Sequence, residues 1–321
     1  MLAFALRRVL WTIPVLFVVV TLLFVLLGIL GGDPTRHGEL RGLSNVSWVK
    51  TGDAKPESIA RNLRRELGLD QPWYVRYGRF LRSVATLDFG RTWSYRYRTV
   101  NDVIAHQAPV SLQLGALALV WVLVLGLPLG VAAAVWSGGA ADTAARLAAM
   151  LAFALPNFLV GTLLVYLLGV RWSLLPTSGW GGWESKLLPS LTLGLLPAGF
   201  AARLVRASVL DTLTHEYVRA AAAKGLRRSR ILVVHVLRNS LVPVVTALGP
   251  LLGFLVTGSF VVEQIFDIPG IGRFYVAGVL ARDFPLLLGL TVVVTTTIVL
   301  ANLAVDLLHG ALDPRVRDAR A

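Results

Sequence analysis

The chain has 321 residues, 55% of them hydrophobic and 15% charged, with mean hydropathy +0.69. Soluble domains carry about 25% charge, so this composition, joined to several long apolar runs, excludes an ordinary soluble domain and indicates an integral membrane protein. The net charge of +13 would suggest nucleic acid in a soluble protein; here Lys and Arg collecting in cytoplasmic loops account for it, no nucleic-acid partner is expected, and the lack of cysteine excludes disulfides and thiolate metal sites.

In chain order, Arg7 and Arg8 precede an apolar run from Val9 to Leu30. A signal peptide has an apolar region of about 7–15 residues, so this run is expected to be an uncleaved first span, with Pro14 tolerated inside it. Gly31-Gly32-Asp33-Pro34 ends it. A polar region, 33–107, follows with 13 Lys/Arg and 8 Asp/Glu. It is too long for its charge to fix its side of the membrane. Ile59, Leu63 and Leu67 predict a helix over 56–67 that stops at Gly68. Trp73, Tyr74, Tyr77, Phe80 and Leu81 predict a second short helix lying on the membrane surface.

Five further spans are predicted at about 109–136, 146–170, 187–209, 240–262 and 285–308. The third contains Pro156-Asn157 and the fourth Pro189 and Pro197. The connection 171–186 carries Trp172, Trp180 and Trp183, which suit the headgroup level. Eight Lys/Arg against two acids in 203–239 place that segment in the cytoplasm; 171–186 and 263–284 carry no such excess. With six spans both termini are then cytoplasmic and 33–107 is extracytoplasmic. The chain divides into 1–32, the region 33–107, a five-helix core 108–309 with a cytoplasmic segment at 210–239, and a tail 310–321.

Residues 214–246 are the longest polar interruption of the apolar second half, yet they are patterned as helix. Thr214 is the expected N-cap, Glu216 sits in the first turn, and Ala220 to Ala223 follow. Lys224 closes the last turn and Gly225 suits the left-handed residue after it. A helix of about 10 residues is too short to stand alone in water. It is read as a docking element, with a solvated linker as the plain alternative.

Catalytic motifs are missing. There is no Gly-Lys pair and hence no P-loop, no His-Glu-x-x-His and no Gly-x-Ser-x-Gly elbow, and the five histidines are scattered. Asp306 is read as interfacial. Asn157 either lines a pathway or satisfies carbonyls that Pro156 frees, and Asn302 is open in the same way. Gly126-x-x-x-Gly130 and Gly249-x-x-x-Gly253 read as packing patterns. Around Glu263, the breakers Pro269, Gly270 and Gly272 precede a short amphipathic piece at 273–282, either an outer lid over a pathway or a connection without gating.

Several of these residues together resemble the permease subunits of bacterial ATP-binding-cassette importers of the dipeptide, oligopeptide and nickel type. The resemblance is strongest at Glu216-Tyr217-Val218-Arg219 through Ala223-Lys224-Gly225-Leu226, then His235-x-Leu237-Arg238-Asn239 and Pro243, with Arg203-Leu204-x-Arg206 just before. Gly32-Asp33-Pro34, Leu67-Gly68-Leu69-Asp70-x-Pro72, Asp88-Phe89-Gly90, Glu263 through Gly272 and Asp313-Pro314-Arg315 match in the same order. Arg219 stands where the general importer motif has glutamate, and Leu237 is followed by Arg238 rather than proline; both departures resemble the peptide branch. Residues 35–58 are less similar to the family and read as an insertion. The resemblance implies a six-helix all-α permease in the bacterial cytoplasmic membrane. It also implies a second permease subunit, two ATPase subunits holding ATP and Mg, and an extracytoplasmic solute-binding protein. Glu216, Tyr217, Arg219, Ala220, Ala221, Lys224, Gly225 and Leu226 become the expected ATPase-coupling residues. No cofactor is expected on this chain. A stand-alone secondary transporter and a membrane-anchored scaffold are the competing readings, but midplane charges are nearly absent, against the first.

Overall fold

The structure is a computed structural model that describes residues 2–30, 70–95, 98–281 and 283–312. The expected helix at 56–67, the 35–58 insertion, Gly32-Asp33-Pro34 and the tail with Asp313-Pro314-Arg315 lie outside the described residues. Among those described, every regular element is helical, apart from one antiparallel bridge between Arg91 and Thr99. The chain runs through α1 (Leu2–Leu30), α2 (Trp73–Thr86) and α3 (Val100–Trp121). A π turn (Val122–Gly126) joins α3 to α4 (Leu127–Val135). Then come α5 (Ala140–Ala154), α6 (Asn157–Leu164) with a π turn at Val165–Arg171, and α7 (Glu184–Leu213). The short α8 (Glu216–Ala223) precedes α9 (Arg228–Arg230), which runs through a π turn (Ile231–Leu237) into α10 (Arg238–Ser240). Last are α11 (Val242–Ile265), α12 (Ile271–Ala281) and α13 (Phe284–Leu312).

Four helices among the described residues are long and apolar enough to cross a membrane: Val100–Val135, Glu184–Leu213, Arg228–Ala247 and Phe284–Leu307. Leu10–Leu26, Asn157–Arg171 and Ile271–Ala281 are shorter apolar helical stretches. The predicted span 146–170 is not one helix. Helix starts at Ala140, and Leu155 is extended (φ −86°, ψ 127°) before Pro156. A residue preceding proline is pushed out of the α region, so Pro156 breaks this crossing, whereas Pro14, Pro189 and Pro197 lie inside helices. Pro128 has a milder effect. Its ring would meet the Val124 carbonyl, and the turn before it is widened to π. The amphipathic piece expected at 273–282 is α12, two residues earlier.

The described chain falls into two compact units. The first comprises Ser111–Pro269 with the part of α13 from Ile298 onward and the residues up to Val9. α7 is its axis, in contact with the 122–135 helix, α5, α6, the 228–240 helix, α8 and α11. Small residues make this possible. A Cβ on Gly194 would lie 2.7 Å from the Ala118 carbonyl oxygen; one on Gly126, 2.9 Å from that of Ala198; one on Gly130, 2.6 Å from that of Ala202. The pairs advance together, so these two helices run parallel. α5–α6 runs against α7, since Asp142 meets Arg206 and Gly161 faces Thr192. α11 also runs against α7: the Ser208 hydroxyl donates to the Ser240 carbonyl (2.8 Å) at one end, and Gly161 faces Ile265 and Phe266 at the other. α13 runs against α11, with Gly249 facing Asn302 and Gly253 facing Ile298. The unit is therefore a series of helices that alternate in direction about α7, and both Gly-x-x-x-Gly patterns are packing contacts, as expected.

At one end of that series Asp142 is fully buried and accepts from Arg206 Nε (2.7 Å), Arg206 Nη2 (2.8 Å) and the Gly138 N–H (3.0 Å), with Arg146 3.4 Å away. The Arg206 hydrogen bond, foremost, and the Gly138 N–H hold its carboxyl well below the usual carboxylate range. Nothing in the sequence drew attention to Asp142.

The second unit comprises Leu10–Val110 and Gly270–Thr297. Val20, Phe80 and Val292 form its buried cluster, with Phe24, Tyr77, Val84, Phe89 and Leu288 around it. Asp283, also fully buried, accepts from the Trp93 and Ser94 N–H groups (2.8 Å each) and caps α13 through the Leu286 N–H (3.2 Å). The Trp93–Phe284 and Tyr95–Phe274 ring pairs fasten the same loop.

Two outcomes are expected in detergent solution. Gly130→Leu lowers the thermal unfolding midpoint by the equivalent of about 1–3 kcal/mol, the usual cost of overpacking. Gly115→Ala, whose new methyl meets nothing within 4 Å, does not lower it; equal losses would show that the seam is not close-packed. Asp142→Asn lowers the midpoint at neutral pH. Because the native carboxyl titrates below its ordinary 3.8, its contribution is complete above that value and is lost as pH falls below it. The gap between wild type and Asp142→Asn is thus flat from about pH 5 to 8 and narrows under about pH 4; a gap that widens in acid would contradict the assignment.

Candidate functional site

The polar stretch after α7 folds into a compact turn-helix-turn. Thr214 does not cap the new helix. Its hydroxyl donates to the Asp211 carbonyl (2.7 Å) and closes the end of α7. His215 takes the N-cap position with extended backbone (φ −69°, ψ 146°) and no side-chain hydrogen bond to the helix. Threonine is a strong capping residue, but α7 extends to Leu213 and uses it at its own C-terminus. The resulting α8 has 8 residues rather than about 10.

Its far end matches the expectation. Gly225 has φ +75°, its N–H donates to the Ala222 carbonyl (3.0 Å) and the Leu226 N–H to that of Ala221 (3.4 Å). This is a Schellman closure with glycine at the left-handed residue. A Cβ on Gly225 would touch nothing within 4 Å, so backbone conformation, not space, calls for glycine there.

Val218 and Ala221 are the inward face of α8, one turn apart. They are buried in a cluster with Val205, Val209, Ile231 and Val236, against which Leu226 also packs. A helix of 8 residues has little stability of its own; this contact with α7 and the 228–240 helix holds it. Tyr217 adds a polar fastening, accepting from Asn239 Nδ2 (2.8 Å) and donating to the His235 carbonyl (3.3 Å). Sequence reasoning placed Tyr217, His235 and Asn239 in one motif without this network, because only folding brings residues 18 and 22 apart together.

The remaining expected coupling residues point outward. Glu216, Arg219, Ala220 and Lys224 are exposed; so are Ala222 and Ala223, which were not among the expected residues, and the three alanines present a low surface beside charged groups of both signs. The Glu216–Arg219 ion pair that their spacing allows is not formed, whereas elsewhere in the first unit Asp142 pairs with Arg206 and Arg146.

The residues proposed from sequence for a pathway or gate do not form one site with these. Glu263 lies on α11 itself, not in the connection after it, and is fully buried, accepting from the Ser111 hydroxyl (2.7 Å). It is 23 residues beyond Ser240, or about 35 Å along a helix, from the end where α8 packs. Asn157 begins α6, with its Oδ1 buried and without a hydrogen-bond partner. Pro269 and Gly270 lie between α11 and α12, and Gly272 is the second residue of α12. Among the described residues no group of three or more His, Asp or Glu is placed to hold a metal ion.

Comparison with known proteins bears on the same segment. Residues 126–318 match the family model described as "Binding-protein-dependent transport system inner membrane component". The chain is 38% identical over 302 residues to the dipeptide transport system permease protein of Bacillus subtilis (strain 168), covering 94% of each chain. It is 36% identical over 317 residues to the glutathione transport system permease protein of Escherichia coli (strain K12), covering 99% of each. Among solved structures, a crystal structure of an amino acid ABC transporter with histidines shares the fold, with TM-score 0.50 and 13% identity over 67% of this chain and 94% of that one. The chain belongs to the family of binding-protein-dependent transport system inner membrane components, as a permease of the ABC peptide-importer type.

Proposed function

We propose that this chain is the transmembrane pathway subunit of an ATP-driven importer of peptides or similar small solutes, and that α8 couples it to ATP hydrolysis on separate subunits. The observation that carries the reading is α8 itself: a capped helix, seated on α7 by Val218 and Ala221, whose outer face of Glu216, Arg219, Ala220, Ala222, Ala223 and Lys224 is open to a partner. A chain without a P-loop has no reason to build such a face for its own use. Two ATPase subunits, with their ATP and Mg, would hold α8; a second permease would complete the pathway; an extracytoplasmic solute-binding protein would deliver the substrate. The names of the dipeptide and glutathione relatives support a small-peptide substrate. Six spans in the bacterial cytoplasmic membrane, both termini inside and 33–107 outside, remain the topology proposed, and the alternation of crossings in the first unit agrees with it. Because α8 packs on α7 and on the 228–240 helix together, a displacement of α8 moves both as a rigid body, the kind of motion that opens one side of a pathway and closes the other.

The direct test is uptake by the chain reconstituted with and without its ATPase subunits. Uptake is expected only with them and with ATP; ion-gradient-driven uptake by the chain alone would establish the secondary-transporter reading instead. Gly225→Val forces a branched side chain into the left-handed region, a cost of about 1–2 kcal/mol. It is expected to lower solute uptake per ATP hydrolysed while leaving membrane insertion intact, and wild-type uptake by this variant would sink the role of the cap. Ala222→Trp, on the exposed side of α8, is expected to abolish co-purification of the ATPase without lowering thermal stability. Ala221→Trp, on the buried side, should lower thermal stability as well; if both variants retain the ATPase, the partner binds elsewhere.

A further inference from the structure

Helix α2 has two faces of opposite character. Tyr77, Phe80, Leu81 and Val84 share one side of the helix. Phe80 is buried there, the hydroxyls of Tyr77 and Thr21 share a hydrogen bond (2.8 Å), and the Phe24 ring lies 5.2 Å from Tyr77 and 5.5 Å from Phe80. Arg76, Arg79 and Arg82, spaced three apart, occupy the other side. Arg79 and Arg82 are exposed and Arg76 is half-buried; among the described residues none of the three forms an ion pair. Trp73, in line with the apolar face at its first turn, and Tyr74, at its edge, are 71% and 61% exposed.

The depth of the helix follows from what it touches. Val20, Thr21 and Phe24 lie six to ten residues before the end of α1 at Leu30, about 9–15 Å down its axis. α2 therefore rests against the side of an apolar helix, not beyond its end. The face opposite that contact points along the plane of the membrane rather than outward along its normal. Exposed aromatic rings and a basic stripe at this depth are the pattern of a helix lying in the headgroup layer. The guanidinium fork matches a phosphate in two parallel hydrogen bonds.

We infer that Arg76, Arg79 and Arg82 form a docking surface for anionic phospholipid headgroups, which holds α2, and through Phe80 and Tyr77 the adjoining stretch of α1, at one depth in the bilayer. The assignment does not depend on the transport reading, so uptake is not its measure.

The test uses the full-length chain in phosphatidylcholine nanodiscs containing none or a third phosphatidylglycerol, followed by thermal unfolding and by native mass spectrometry of retained lipid. Phosphatidylglycerol is expected to raise the unfolding midpoint of the wild type. Arg76→Gln/Arg79→Gln/Arg82→Gln should abolish that shift, with retained phosphatidylglycerol falling about fivefold per arginine removed. Arg76→Lys/Arg79→Lys/Arg82→Lys, which keeps the charge, should retain most of the shift. If the glutamine variant does not fold, Arg79→Gln alone, at an exposed position, reads the same quantity: a loss of about fivefold supports the assignment and no loss overturns it. A glutamine variant with the wild-type lipid shift overturns it too. So does one that keeps the shift but loses salt-sensitive binding of an acidic protein, which would give the arginines to a protein partner.

Discussion

Close backbone contact along α7 is the constraint from which the first unit is built. In a bilayer, apolar surface gains little by leaving lipid for protein, so helices associate where their backbones approach closely enough for dense dispersion contact. Gly126, Gly130 and Gly194, set against the Ala198, Ala202 and Ala118 carbonyls, provide that approach. Any side chain at Gly130 would stand at 2.6 Å from the Ala202 carbonyl oxygen and the Val205 Cβ, so the seam tolerates no growth. Once α7 is fixed against the 122–135 helix, α5, α6 and α11 have one axis to pack on.

The end of that axis is where charge takes over from packing. Arg206 is bound in two-pronged fashion by a fully buried carboxylate, and Ser208 ties to the Ser240 carbonyl within the next turn. Val205 and Val209 on the same stretch form the seat of α8. α8 thus stands on a segment already held by an ion pair, a hydroxyl and an apolar cluster. A load applied to α8 meets a rigid support and not a loop. This gives physical content to a short alanine-rich helix, which in isolation would not persist.

The second unit is fastened differently, by a buried carboxylate and by rings. Asp283 gathers three backbone N–H groups from two distant segments, and replaces the hydrogen bonds that the 93–94 loop would otherwise make to water. Phe24, Tyr77 and Phe80 settle α2 against α1. A buried carboxylate near a helix start in each unit, Asp142 and Asp283, joins distant segments, and neither stands out in the sequence as more than an acid in a connecting segment.

Much was legible from the chain alone. Long apolar runs declare helices that need no sequence-distant partner for their backbone hydrogen bonds. The Gly225 cap, the small-residue seams and the amphipathic α2 are local patterns, in which residues three or four apart decide the outcome. The motif from Glu216 to Leu226 pointed to the family for the same reason. What escaped was whatever depended on a second segment. Thr214 went to α7 because that helix, packed along its length, runs on to Leu213. The break at Leu155 is local, set by Pro156, but spacing alone did not separate it from Pro189 and Pro197, which lie inside their helix. Glu263 moved from a surface connection into the buried side of α11, beside Ser111, a residue 152 positions away. Sequence by itself determined the membrane-spanning helical class and the short helix that closes at Gly225, since these rest on composition and short-range spacing. Only the tertiary structure decided which carboxylates are buried and which side of α8 is free, because burial and ion pairing are properties of segments brought together from far along the chain.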